Sequence, residues 1–145
     1  MRLDERDHGS LVLWTTDCAE HVLPYFEEKY PNDNRPRDAI EAGRAWARGE
    51  ATMSEARAAA LAAHAAAREA DQAGALAAAR AAGHAAATAH VAGHVAHAAN
   101  YAVKAVTYAA VPTDSAAATA KERDWQYLRL PEHLRPVAFP ARGDN

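Results

Sequence analysis

"GALAAARAAGHAAATAHVAGHVAHAANYAVKAVTYAA", residues 74–110, decides the fold. Alanine dominates it, and alanine has the highest helix propensity of any residue. The spacing predicts one very long helix, or two collinear ones joined near Gly83 or Thr88. Only Arg80 and Lys104 carry formal charge over this span. A helix so poor in charge must be surrounded, so it is expected at the centre of a bundle or in a dimer interface. A membrane span is excluded, because alanine is weakly apolar and histidines at mid-span are costly in lipid.

Within this stretch, His90, His94 and His97 are offset by four and then three residues. On one continuous helix they share a face with Tyr101, Lys104 and Tyr108, while Val91, Val95, Ala102 and Val106 form an aliphatic arc about 100° away.

Working outward, the remaining segments also read as helices. Leu11, Trp14, Cys18, Val22 and Phe26 recur at threes and fours over a first helix of about 11–30, beginning near Ser10 or Thr15 and kinked at Pro24. "PNDN" at 31–34 is turn chemistry. A second helix opens with Pro36 in its first turn and stops at Gly49. A third starts on the capping box Thr52-Met-Ser-Glu55 and runs to about Asp71, its larger side chains being Arg57, Leu61, His64 and Arg68. A fifth covers about 115–128, capped by Thr113 or Asp114. Residues 131–145 read as a proline-broken tail with one short turn around Glu132, pinned by Trp125, Tyr127, Leu128 and Leu130. The expected fold is all-α: a single-domain helical bundle of about five helices over 1–145, with a long, charge-poor central helix.

The chain has 145 residues and a net charge of −3 with histidine neutral. No basic field marks a nucleic-acid surface, so no nucleic-acid partner is expected. The mean hydropathy of −0.38 agrees with no membrane partner. One cysteine, Cys18, excludes an intramolecular disulfide. The charged start "MRLDERDHGS" lacks the apolar run of a secretory signal, so a cytoplasmic location is expected.

The histidine face supports three chemistries. His90 and His94, at i and i+4, could share a zinc ion, with a third ligand from His64, Glu69 or His21; no other cofactor is expected. The spacing is not HExxH, so no catalytic glutamate accompanies the pair. Alternatively, neutral imidazoles fill polar interior space, with Arg68, Glu69, Arg80 and His84 as hydrogen-bonding partners. A third reading is a ligand pocket lined by Arg80, His84, His90, His94 and Tyr101. The buried polar network is preferred over the metal site. Arg35 and Arg37, flanking Pro36, are candidates to clamp an anion, although a salt bridge at the helix start explains them more simply. No phosphate loop, nucleophile elbow or catalytic carboxylate pair is present.

The blocks "DCAEHVLPYFE", "RPRDAIEAGRAWARGE", "EARAAALAAHAAAREA", "AARAAGHAAATAHVAGH", "NYAVKA" and "ERDWQYLRLPEHLR" resemble, in that order, the bacterial immunity proteins of the Imm5-like type. The resemblance implies an all-helical cytoplasmic domain that binds a toxin of interbacterial competition. It assigns no role to an individual residue. The leading expectation is therefore toxin binding without catalysis. The alternative is a small helical enzyme, or a ligand- or metal-binding protein, using the His90, His94 and Tyr101 face. An alanine-faced central helix also suits homodimerisation.

Overall fold

Asp4 starts the first helix. In the computed structural model, which describes residues 3–140, its side chain accepts from the Asp7 backbone N–H at 2.8 Å, and the Asp7 side chain accepts in return from the Asp4 N–H. This reciprocal cap begins α1 (Glu5–Val22) well before the expected Ser10 or Thr15. The expected stripe is buried: Leu11, Trp14, Cys18 and Val22 lie inside, and Phe26 continues it on α2 (Pro24–Glu27). Pro24 separates the two helices by opening the second, where its missing N–H costs no helical bond.

α3 (Arg35–Ala47) carries Pro36 in its first turn and ends before Gly49, whose φ of 77° takes the chain out of helix. A Cβ at Gly43 would stand 3.0 Å from Thr16 Cγ2 and 3.6 Å from Ala86 Cα, so this glycine lets α3 sit close to α1 and α5. α4 (Met53–Glu69) begins on the expected capping box, with Thr52 and Glu55 bonded reciprocally at 3.0 Å.

The span 74–110 is not one rod, nor two collinear ones. It folds back as α5 (Ala73–Ala87) and α6 (His94–Ala109). Gly74 faces Ala105 and Ala109, whereas His84 meets His94, His97 and Tyr101, so the two helices are antiparallel. The reversal is at Thr88, whose hydroxyl donates to the His84 carbonyl at 2.9 Å while His8 Nε2 lies 2.6 Å from its own carbonyl oxygen. The physical reason is burial: folding back covers the uncharged surface of both segments with alanine-to-alanine contact. α5 alone is the charge-poor centre, packed against α1, α2, α3, α4 and α6, with Ala75, Ala78, Ala82 and Ala86 among its buried residues.

α7 (Ser115–Arg129) follows a single 3-10 turn at Pro112–Asp114, and the expected side-chain cap at its start is not formed by Asp114. The proline-rich tail is more ordered than expected. A 3-10 turn (Glu132–Leu134) leads directly into α8 (Arg135–Ala138), with Leu130 and Leu134 buried. Leu128, expected to pin the tail, is 71 % exposed. The part of the tail over 141–145 lies outside the described residues.

The outcome is an all-α single domain. Among the described residues there is no strand, and no helix is long and apolar enough to cross a membrane. Among the described residues, six helices of 13 to 18 residues replace the expected five, because the long central one is a hairpin.

Candidate functional site

The α5–α6 hairpin, with α4 beside it, builds a strip of imidazoles in ring-to-ring contact, edge-on for His64 and His84 and stacked for His84 and His94. His84 from α5 lies at its middle. Its ring is 4.7 Å from that of His64 on α4, and 5.2 Å from those of His94, His97 and Tyr101 on α6. Lys104 extends the strip by placing Nζ 4.7 Å from the centre of the Tyr101 ring.

Two hydrogen bonds define protonation. Arg80 Nη1 lies 2.9 Å from His64 Nδ1. A guanidinium can only donate, so this nitrogen accepts and His64 is the neutral Nε2–H tautomer. His84 Nδ1 and His94 Nδ1 are 3.0 Å apart, so one donates and the other accepts. Two protonated rings could not make that bond.

The electrostatics agree. Burial, then the Arg80 charge, pushes the His64 pKa down to about 4. Burial, followed by His64, His94 and His97, pushes His84 to about 3. His94 is lowered by burial and then by His97 and His90. No carboxylate offsets these effects, so the three imidazoles are neutral at pH 7.

Gly83 makes the strip possible. A Cβ there would stand 2.6, 2.7 and 2.9 Å from three atoms of the His64 ring, so that ring lies on bare helix backbone. Gly83→Ala is therefore expected to drive the His64 ring out toward solvent and break its bond to Arg80. The cost should be about 1–2 kcal/mol of stability, since overpacking is only partly relieved by side-chain rotation. NMR titration should find His64 moved up from about 4 toward the ordinary 6.5. An unchanged His64 titration in a folded variant would refute this account.

Several candidate residues fall elsewhere. His90 is not on α6: it lies exposed in the turn, with Nδ1 3.2 Å from Met53 Sδ. The helical i, i+4 pairing of His90 with His94 is thus overturned by the reversal at Thr88. Among the described residues, no three His, Cys, Asp or Glu side chains stand so as to hold a metal ion. Glu69 bonds Arg35 at 3.0 Å rather than Arg80, and its neighbour Arg68 acts on it through charge alone. Arg35 also grips Asp33 at 2.7 Å, and Arg37 grips Glu27 at 2.6 Å, so both clamp candidates already hold the chain's own carboxylates. Arg68 is exposed beside the strip, close enough for its charge to lower the His64 pKa.

Of the ligand-pocket set, the fold brings together Arg80, His84, His94 and Tyr101. Sequence reasoning undervalued His64, naming it only as a third zinc ligand. The glycine opposite it was the available signal. The clefts described in the molecule, of about 320 to 410 Å³, open away from the strip. One of about 360 Å³ borders an interaction the sequence did not suggest. There His21 Nδ1 lies 2.8 Å from Glu122 Oε2 and its ring stacks on Trp125 at 3.8 Å. Glu122 is only 4 % exposed, and this pair ties α1 to α7.

Compared with known families, residues 1–133 match the family described as "Imm-5 like putative immunity protein". No curated protein and no solved structure gives a significant match.

Proposed function

Because the chain belongs to this Imm-5 like immunity family, we propose that it neutralises a cognate toxin in the cytoplasm by binding it, without chemistry. The observation that carries this reading is the extent of the match, residues 1–133, which takes in every helix from α1 to α7. The match thus covers nearly the whole bundle rather than one local motif. The strip gives support of a second kind, because hydrogen bonds between its helices, His64 with Arg80 and His84 with His94, hold α4, α5 and α6 to one another. An inhibitor works through its exterior, and hydrogen bonds between helices keep that exterior in one shape.

The test is co-expression with candidate toxin domains, a neighbouring toxin-like gene product being tried first. Growth rescue with co-purification of a one-to-one complex is the expected result. A Kd in the nanomolar range or below accords with a standard interface. Toxin activity unaffected by a saturating amount of this protein would overturn the proposal.

One observation favours a second reading, a small enzyme or ligand-binding protein. His94 is neutral and half-buried rather than sealed, so one imidazole of the strip stands within reach of solvent and of a small ligand. Protection lost in His94→Ala with toxin affinity unchanged would favour this alternative.

A further inference from the structure

Carboxylates are unevenly distributed along this chain. None occurs between Glu55 and Glu69, and none between Asp71 and Asp114. Those two gaps contain most of α4 and all of α5 and α6. Their formal cations are Arg57, Arg68, Arg80 and Lys104, and among the described residues none of these makes a salt bridge. Arg80 meets a neutral imidazole and Lys104 a phenol ring.

The opposite side of the bundle is different. Arg44 there is gripped by Asp17 and Glu20 at 3.0–3.1 Å and by Glu41 at 3.2 Å, and Arg129 reaches Asp17 at 3.4 Å. A protein of net charge −3 thus places no carboxylate on α5 or α6, and none on α4 between Glu55 in its first turn and Glu69 at its end.

That face is continuous. Arg68 bears on His64, His64 touches Arg80 and His84, and His84 leads through Tyr101 to Lys104. Leu61, one turn before His64 on α4, is 61 % exposed. Arginines without a salt bridge, together with a tyrosine and an exposed leucine, are the composition of a protein interface. Four cations on a net-negative molecule are a poor match for a phosphate backbone.

We infer that the outer face of α4, with the adjoining α5–α6 strip, is where the toxin docks, and that the toxin presents Asp and Glu side chains to it. This rests on the binding reading above and specifies its chemistry.

The probe is the catalytically inactivated toxin domain, titrated against full-length protein. The double variant Arg57→Glu, Arg68→Glu changes two exposed side chains on α4. It should raise Kd at least about tenfold, mainly through slower association, and flatten the salt dependence of that rate. Arg123→Glu, exposed on α7, should change Kd less than about twofold. Should the double-Glu variant fail to fold, Arg57→Gln with Arg68→Gln keeps the test and should give a smaller loss of the same kind. A complex whose affinity ignores both α4 variants and salt overturns the inference and leaves the binding reading standing. An RNA oligonucleotide that competes with the toxin for this face overturns the choice of a carboxylate partner. A toxin that forms no complex at all removes the binding reading, and this face with it.

Discussion

Trp14→Ala is expected to lower the stability of this protein by about 3–5 kcal/mol, the usual cost of deleting a fully packed aromatic. Trp14 is 3 % exposed in the middle of the α1 stripe. It contributes more than area. Its Nε1–H donates to the Gln126 backbone carbonyl at 2.8 Å, and its ring meets Phe139 edge-on at 5.8 Å. Gln126 in turn donates from Nε2 to the Ala99 carbonyl at 3.0 Å, so α1, α6 and α7 are joined through one buried junction. Trp14→Phe separates the two contributions. It retains most of the apolar area but leaves the Gln126 carbonyl without this donor, costing about 1–3 kcal/mol. Urea unfolding followed by circular dichroism measures both. An alanine variant that loses less than about 1 kcal/mol would show that this junction is not part of the cooperative core.

Acid should destabilise the protein at a pH well above that at which carboxylates titrate. In the folded state His64 and His84 are held at about 4 and about 3, whereas the unfolded chain returns both to 6.5. Their folded values are depressed, so the unfolded state binds more protons as pH falls below 6.5, and stability falls with it. Above 6.5 both rings are neutral in either state and the loss vanishes. The full linkage is about 1.4 kcal/mol per pH unit for each group. Both rings remain partly solvated, so about half is a fair discount, giving about 2 kcal/mol less stability near pH 5 than at pH 7. The check is the urea midpoint at the two pH values, with His84→Asn flattening the slope by about half. Equal midpoints would mean that the imidazoles charge freely in the folded protein.

The two predictions differ in how legible their residues were. Trp14 was readable, because its apolar neighbours recur at helical spacing and a recurring stripe must be buried. Gln126 was not. Its burial depends on α6 presenting the Ala99 carbonyl to it, and no local pattern in "ERDWQYLRL" carries that information. Glu122 is the same case: it lies inside only because His21, 101 residues earlier in the chain, supplies a partner.

The site shows the same division. Local composition correctly marked 74–110 as helical and poor in charge, and it marked Arg80, His84, His94 and Tyr101 as belonging together. It also attached His90 to them, because periodicity is continuous through the point where the chain reverses. Alanine resists no conformation strongly enough to announce a turn inside a run of good helix formers, so the break at Thr88 left little trace. At the helix start the preferred reading is a salt bridge, and Arg35 forms one with Asp33; that Glu69 and Glu27 also engage Arg35 and Arg37 leaves no trace in the local sequence.

By itself, then, the sequence determined the helical class, the buried stripe of α1, the capping box at Thr52, the stop at Gly49, and the long carboxylate gaps. Each of these is local, set by propensity, periodicity or residue inventory. Only the tertiary structure decided that the central segment is a hairpin, that His64 rather than His90 joins the strip, and that Gly83 makes room for it. The reason is that these outcomes depend on which surfaces bury one another, and a near-uniform alanine surface offers many equivalent partners until the whole bundle selects one.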